Sequence, residues 1–398
     1  MKVAGVIVEF NPFHNGHDVH IQETRELTNC DYVVAVMSGN FVQRGEPALC
    51  DKWHRTKMAL MCGVDIVIEI PLPYVIAGAD YFARGSVGLL AATGVVNSLC
   101  FGSESGDLAA LMEAGKILAE EPPLYKEILR NSLDSGISFA AAKGAALEAC
   151  LSKIPEGLLV KPNNGLAMEY CKALHLLGNP MNVFTTHRQK GGPSATKIRR
   201  AFRAGESVEG LLPAVAHDIL LSILEQNAIA NFDDFSDIFR YMIMSASSNK
   251  KDDISLLCKD EGLENRFRKF VGEHHKISDL LAAVKTKRYT YTRLQRFILG
   301  VLLKISQADM DTYEAEGGIQ YIRVLGFKRE SQRLLGEITR RAILPVITTG
   351  KALDELICQN GLPAHMLKKE LIAGDIFRIS TGERGGFYSE RGTGLVVV

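Results

Sequence analysis

The chain has 398 residues, 46% hydrophobic and 23% charged, a globular composition that excludes a disordered or fibrous protein. Its 46 Lys and Arg balance its 46 Asp and Glu, so no chain-wide basic field exists and any polyanion must be held by local patches. No apolar run approaches the roughly 18 residues that cross a bilayer, and the apolar N-terminus turns polar at Glu9, too soon for a signal peptide. The eight cysteines are scattered with no C-x-x-C pair, so a cytoplasmic, reducing setting is expected.

Residues 3–8 form the first predicted strand. Directly after it stands Glu9-Phe10-Asn11-Pro12-Phe13-His14-Asn15-Gly16-His17-Asp18-Val19-His20. Pro12 ends the strand, and Gly16 lets backbone approach a ligand closely. His14 and His17 are three apart, so a helix starting there sets both imidazoles on one face near its N-terminus. Free N–H groups and the positive end of the helix dipole make that place attractive to phosphate. Imidazoles there can donate to phosphate oxygens and stabilise the charge that grows as a nucleophile attacks phosphorus. A lone histidine is more often a satisfied core or surface residue; two of them flanking a glycine after a strand point to chemistry. The spacing of His14, His17 and His20 also permits zinc, but no Cys or Glu completes a usual motif, so no metal site is expected.

Further strands are expected at residues 32–37, 65–70, 95–101 and 182–185, with helices at 52–61 and 77–92, the rhythm of a parallel α/β sheet. The apolar run Ile66-Val67-Ile68 suggests a sheet covered on both faces. The loop 38–47 carries Arg44, a candidate for holding a carboxylate substrate. Lys52, Trp53, His54, Arg55 and Lys57 form a basic, aromatic cluster beside it, and Lys52 and Arg55 are candidate RNA contacts. Gly102 lies at the carboxyl edge of the fourth strand, where open α/β sheets bind ligands. Asn163 and Asn164, after Pro162, can bond a base edge or ribose, or cap a helix. Arg188 follows the fifth strand, where a guanidinium suits phosphate and where an exposed loop arginine is the plain alternative. In Ser194-Ala195-Thr196-Lys197-Ile198-Arg199, hydroxyl residues at a helix start can present N–H groups to phosphates while Lys197 and Arg199 neutralise pyrophosphate; a capped basic helix is the simpler reading.

From about residue 205 helical periodicity takes over, at 214–225, 232–244, 254–270 and 293–305, with no convincing strand until about residue 344. Two domains are expected, 1–205 and 206–398, the second mainly helical with a less certain C-terminal lobe from about 330. The stretch 285–296 holds five basic residues, Lys285, Lys287, Arg288, Arg293 and Arg296, with Tyr289 and Tyr291 and no acid. Such a stretch can pair phosphates and stack bases, or be a solvated helix face.

The histidine motif and the 194–199 element together resemble the HxGH nucleotidyltransferase superfamily. Segments 8–20, 37–48, 79–87, 101–104, 161–164 and 285–296 resemble the bacterial tRNA(Met) cytidine acetate ligase family. The resemblance implies an α/β fold, with a Rossmann-like HxGH nucleotidyltransferase domain built on a parallel sheet and followed by a mainly α-helical RNA-binding domain. It implies an enzyme that makes acetyl-adenylate from acetate and ATP, with Mg²⁺ carried by the ATP. The acetyl group then goes to N4 of the wobble cytidine of elongator tRNA(Met). His14 and His17 are the implied catalytic pair. ATP contacts are implied on Ile7, Val8, Glu9, Phe10, Asn11, Pro12, Phe13, Asn15, Gly16 and His20, on Gly102, Asn163 and Arg188, and on Ser194, Thr196 and Arg199. The alternatives are a small-molecule adenylyltransferase that leaves the nucleotide on its product, and a non-catalytic RNA-binding protein with a vestigial nucleotide site. No general base for cytidine N4 is legible, nor is the oligomeric state.

Overall fold

The structure, a computed structural model, describes residues 1–188, 194–226, 228–245, 262–286, 289–382 and 389–398. Its strands are β1 (Val3–Val8), β2 (Tyr32–Ser38), β3 (Phe41–Val42), β4 (Glu46–Pro47), β5 (Ile66–Ile70), β6 (Ser98–Ser103), β7 (Asn182–His187), β8 (Ile322–Phe327), β9 (Val346–Ile347) and β10 (Val396–Val397). One sheet runs in the order β10-β8-β5-β2-β1-β6-β7, with β9 on β8, while β3 and β4 form a separate hairpin. The five strands expected from the first two hundred residues are the five mutually parallel ones, β5-β2-β1-β6-β7. β1 sits where the chain reverses its direction of travel across the sheet, so the crevice beyond the carboxyl ends of β1 and β6 is the switch point at which such sheets take ligands.

The side-chain alternation of a strand splits the core in two. On β2, Val34 and Val36 join a large cluster on one face, while Val33, Ala35 and Met37 join a second cluster on the other. Helix Ala79–Ala92 covers the first face; helices Lys52–Met61 and Ala214–Glu225 cover the second. The helix expected over 77–92 is two, Leu72–Ala77 and Ala79–Ala92, divided at Gly78. Of the helix expected over 254–270, residues 254–261 lie outside the described residues and the remainder forms Leu263–Phe270.

The expectation of no strand before about residue 344 is corrected by β8. This strand pairs antiparallel with β5 and brings the last third of the chain back to the sheet, where β10 closes the edge. Arg323 breaks its apolar pattern. That arginine is 3% exposed because it sits in a buried cluster with Lys52, Glu69, Glu370 and Glu390. Burial and the neighbouring Glu69 raise the Glu370 carboxyl well above the usual carboxylate range.

Candidate active site

β1 ends at Val8, and the next turns carry the chain across its carboxyl edge. Phe10 adopts φ +44°, a left-handed conformation costly for a side chain that bulky, and its ring is fully buried, so packing holds it there. The chain passes through a cis Asn11–Pro12 peptide, and helix Asn15–Thr28 begins. His14 is its N-cap. Its Nδ1 accepts the Gly16 N–H at 3.0 Å, and His17 Nδ1 accepts the His14 N–H at 3.3 Å, a capping box made of two imidazoles. The rings stack 3.7 Å apart, with Phe10 edge-on to His17.

That box fixes the chemistry. A ring nitrogen that accepts a backbone N–H carries a lone pair, so the proton of each neutral ring is on Nε2. Burial lowers the pKa of His14 to about 4, that of His17 well below the normal value, and that of His20 to about 4, with Arg188 nearby acting in the same direction on all three. Near neutral pH the pair therefore offers N–H donors and no charge. Among the described residues His14 Nε2 is buried with no hydrogen-bond partner. His20 is held by Thr186 Oγ1 on β7, 2.8 Å from its Nδ1.

At the ends of β6 and β7 a second group of polar residues converges. Gly102 pairs in register with Thr186, and the space a side chain would fill at Gly102 holds only the Thr186 hydroxyl at 3.6 Å. Asn163 and Asn164 open helix Pro162–Leu176, and Arg188 Nη1 donates to Asn163 Oδ1 at 3.3 Å while its guanidinium remains exposed. The 194–199 element folds as expected into helix Ala195–Arg203. Arg199, however, is 7% exposed, and its guanidinium binds Asn11 O at 2.9 Å and Glu46 Oε1 at 2.6 Å, so it fastens the second element to the first. Thr196 is exposed and Ser194 half-buried at the mouth of the same helix. Asn15 is likewise committed to scaffolding, its side-chain amide donating to Gly210 O at 2.8 Å. Val8, Phe10, Asn11, Pro12 and Phe13 are buried and Ile7 is half-buried, the Phe10 and Phe13 rings lie against His17, and Gly16 is exposed. Burial raises the Glu9 carboxyl above the usual carboxylate range, against the Gln43 N–H that it accepts at 2.6 Å and the nearby Arg44, Arg199 and Arg55.

Three of the expected RNA contacts are corrected. Lys52 is fully buried between Glu69 and Glu390, at 2.6 Å from each. Arg55 is equally buried, spanning the carbonyls of Glu9, Ser38, Gly39 and Cys50, which stitches β1 to the loop after β2. Neither side chain reaches solvent, because buried carboxylates and strand-end carbonyls supply what water would. Tyr289 is also buried, with Arg293 over its ring at 5.8 Å, so its face is not open to a base. Lys285 is exposed and Arg296 half-buried; Lys287 and Arg288 lie outside the described residues. Arg44 is exposed on the β3–β4 turn, and Arg296 reaches Gln43 O at 3.4 Å, which sets helix Tyr291–Leu303 against that turn.

Sequence reasoning did not assign Glu104, whose carboxylate holds both asparagines, or Thr186; each stands one or two residues from a position that it did name. Among the described residues no cluster of three metal-binding side chains is present, and no helix is long and apolar enough to cross a membrane.

A family model described as HIGH nucleotidyl transferase matches residues 1–385. The tRNA(Met) cytidine acetate ligase of Thermoanaerobacter sp. (strain X514) is 40% identical over 395 residues, 96% of each chain. That of Clostridium tetani (strain Massachusetts / E88) is 38% identical over 363 residues, covering 87% of this chain and 90% of its own. The crystal structure of Thermotoga maritima TmcAL bound with alpha-thio ATP superimposes with a TM-score of 0.92 at 31% identity, over 100% of both chains.

Proposed function

Because the chain belongs to the HIGH nucleotidyl transferase family, and within it to the tRNA(Met) cytidine acetate ligases, we propose that it activates acetate with ATP and acetylates N4 of the wobble cytidine in the anticodon loop of elongator tRNA(Met). The observation that carries the reading is the stacked histidine pair, both Nδ1 atoms spent on backbone and the buried Nε2 of His14 without a partner among the described residues, at the carboxyl end of β1.

In this reading an acetate oxygen attacks the α-phosphorus of ATP in line and pyrophosphate leaves. His14 and His17 donate Nε2–H to the phosphate oxygens on which charge grows, and fixed donors of this kind need no reorganisation as the charge develops. Mg²⁺ enters with the phosphates. The backbone of Ile7–His20 and Gly102 forms the floor, with Asn163, Arg188, Ser194 and Thr196 around the nucleotide. Arg199 acts by holding the 195–203 helix over the motif, and exposed Arg44 is the candidate for the acetate carboxylate. Cytidine N4 then attacks the acetyl carbonyl, AMP leaves and N4 loses one proton. The activated acyl group is water-labile, so the same enclosed crevice must receive the flipped base.

Substrate activation falls to residues 1–205 and the RNA to the mainly helical 206–398 part, while β8 to β10 belong to the shared sheet. The support for an RNA face is that Arg296 reaches the turn that bears exposed Arg44, that Lys285 is exposed, and that helix Ala195–Arg203 adds exposed Lys197 and Arg200. His14→Ala or His17→Ala should lower acetate-dependent ATP–pyrophosphate exchange by about a hundredfold or more. Normal exchange in either variant contradicts the assignment.

A further inference from the structure

Glu104 follows β6 directly, and its carboxylate is the centre of a reciprocal lock. Oε1 accepts the Asn163 side-chain amide at 2.7 Å and the Asn163 backbone N–H at 3.3 Å, and Oε2 accepts the Asn164 N–H at 2.9 Å. In return Asn164 Oδ1 accepts the backbone N–H groups of Glu104 and Ser105 at 2.8 and 3.1 Å, and Asn164 Nδ2 donates to Gly157 O at 3.1 Å. Asn164 is fully buried and Glu104 and Asn163 are half-buried, so the lock is shielded from water on its Asn164 side. The helix N-terminus that opens at Pro162 is thus satisfied by a carboxylate from another element and is closed to phosphate.

The lock has a directional consequence. A carboxylate only accepts and a guanidinium only donates, so with Nδ2 of Asn163 on Glu104 and Oδ1 facing Arg188 Nη1 at 3.3 Å, the amide has one allowed orientation. The side that faces away from Glu104 is an acceptor.

We propose that Glu104 is a positioning residue that fixes Asn163 as a hydrogen-bond acceptor, and so selects a nucleotide that offers a donor at that point. This rests on the adenylation reading above. The donor is either the exocyclic amino group of adenine or a ribose hydroxyl. Replacing Glu104 by Gln puts an amide N–H₂ against donors and releases Asn163 to turn over.

The test measures acetate-dependent ATP–pyrophosphate exchange for wild type and Glu104→Gln, each with ATP, GTP and 2′- and 3′-deoxy-ATP, together with the melting temperature of each. In wild type, ATP should be preferred over at least one of these analogues by about tenfold or more, the worth of one hydrogen bond that the analogue cannot make. In Glu104→Gln, KM for ATP should rise about tenfold with kcat little changed, and that same preference should shrink. A preference lost against GTP identifies the adenine amino group; one lost against a deoxy nucleotide identifies the ribose. The proposal is overturned if KM for ATP stays within about twofold of wild type, or if activity falls equally with all four nucleotides alongside the melting temperature. Wild type that shows no acetate-dependent exchange at all refutes the adenylation reading instead, and does so before the variant is considered. If Glu104→Gln does not fold, Glu104→Ala carries the same comparison, and full retention of wild-type discrimination there overturns the proposal.

Discussion

At the scale of single residues, the histidine motif combines a capping role with a ligand role in the same two rings, and the capping role decides which nitrogen faces the crevice. The spacing of His14 and His17 made their shared helix face legible. What spacing does not encode is that their Nδ1 atoms take the backbone donors, because that depends on a turn shaped by Phe10 and the Asn11–Pro12 peptide. Burial gives the pair a pH signature. The imidazole of an unfolded chain takes up a proton near pH 6.5, whereas His14 and His20 in the folded chain do so only near 4. Between those values the unfolded state binds more protons, so the stability linked to these groups is complete above about pH 6.5 and is lost as pH falls toward 4. His14→Gln should therefore flatten the decline of melting temperature over that interval. A decline as steep as in wild type contradicts the neutral, buried state of His14.

At the scale of elements, the helix Ala195–Arg203 and the hairpin β3–β4 are brought to the motif by one side chain. Arg199 bonds to Asn11 O and to Glu46, and nothing in the sequence around residue 199 identifies either partner. Arg199→Ala leaves a carboxylate and the Asn11 carbonyl of the turn after β1 without these donors, at a cost of about 2 kcal/mol for a partly exposed pair of this kind. Urea denaturation should show that loss, and KM for ATP should rise as the helix loosens. Unchanged stability would mean that Arg199 is free for another role. The strands show the same division between what is local and what is not. β1 and helix Lys52–Met61 fall at the expected residues because apolar periodicity and capping are local signals. β8 was missed because Arg323 interrupts its pattern and is stabilised only by acids from distant parts of the chain.

At the scale of the molecule, a buried charge cluster ties the C-terminal segment to the sheet and to the loop that follows β2. Lys52 read as an RNA contact because lysine is almost never buried unless paired, and its partners Glu69, Glu370 and Glu390 are scattered along the chain. Gly39 belongs to the same design. A Cβ there would stand 2.6 Å from Glu69 Oε1 and 2.8 Å from Glu370 Oε1, so only glycine lets the loop pass this close. Lys52→Met should cost about 3–5 kcal/mol in chemical denaturation, since it leaves buried carboxylates facing one another. A loss under about 1 kcal/mol would show that the acids rearrange or protonate without penalty.

In the proposed function one crevice at the carboxyl ends of β1 and β6 both activates acetate and acylates an RNA base. This is tested most directly by mass spectrometry of tRNA nucleosides after incubation of the protein with ATP, isotope-labelled acetate and elongator tRNA(Met). Labelled N4-acetylcytidine should appear only when all three are present, and should be absent with His17→Ala. Unmodified cytidine with the wild-type protein, or a product that keeps the adenylyl group, would contradict this function.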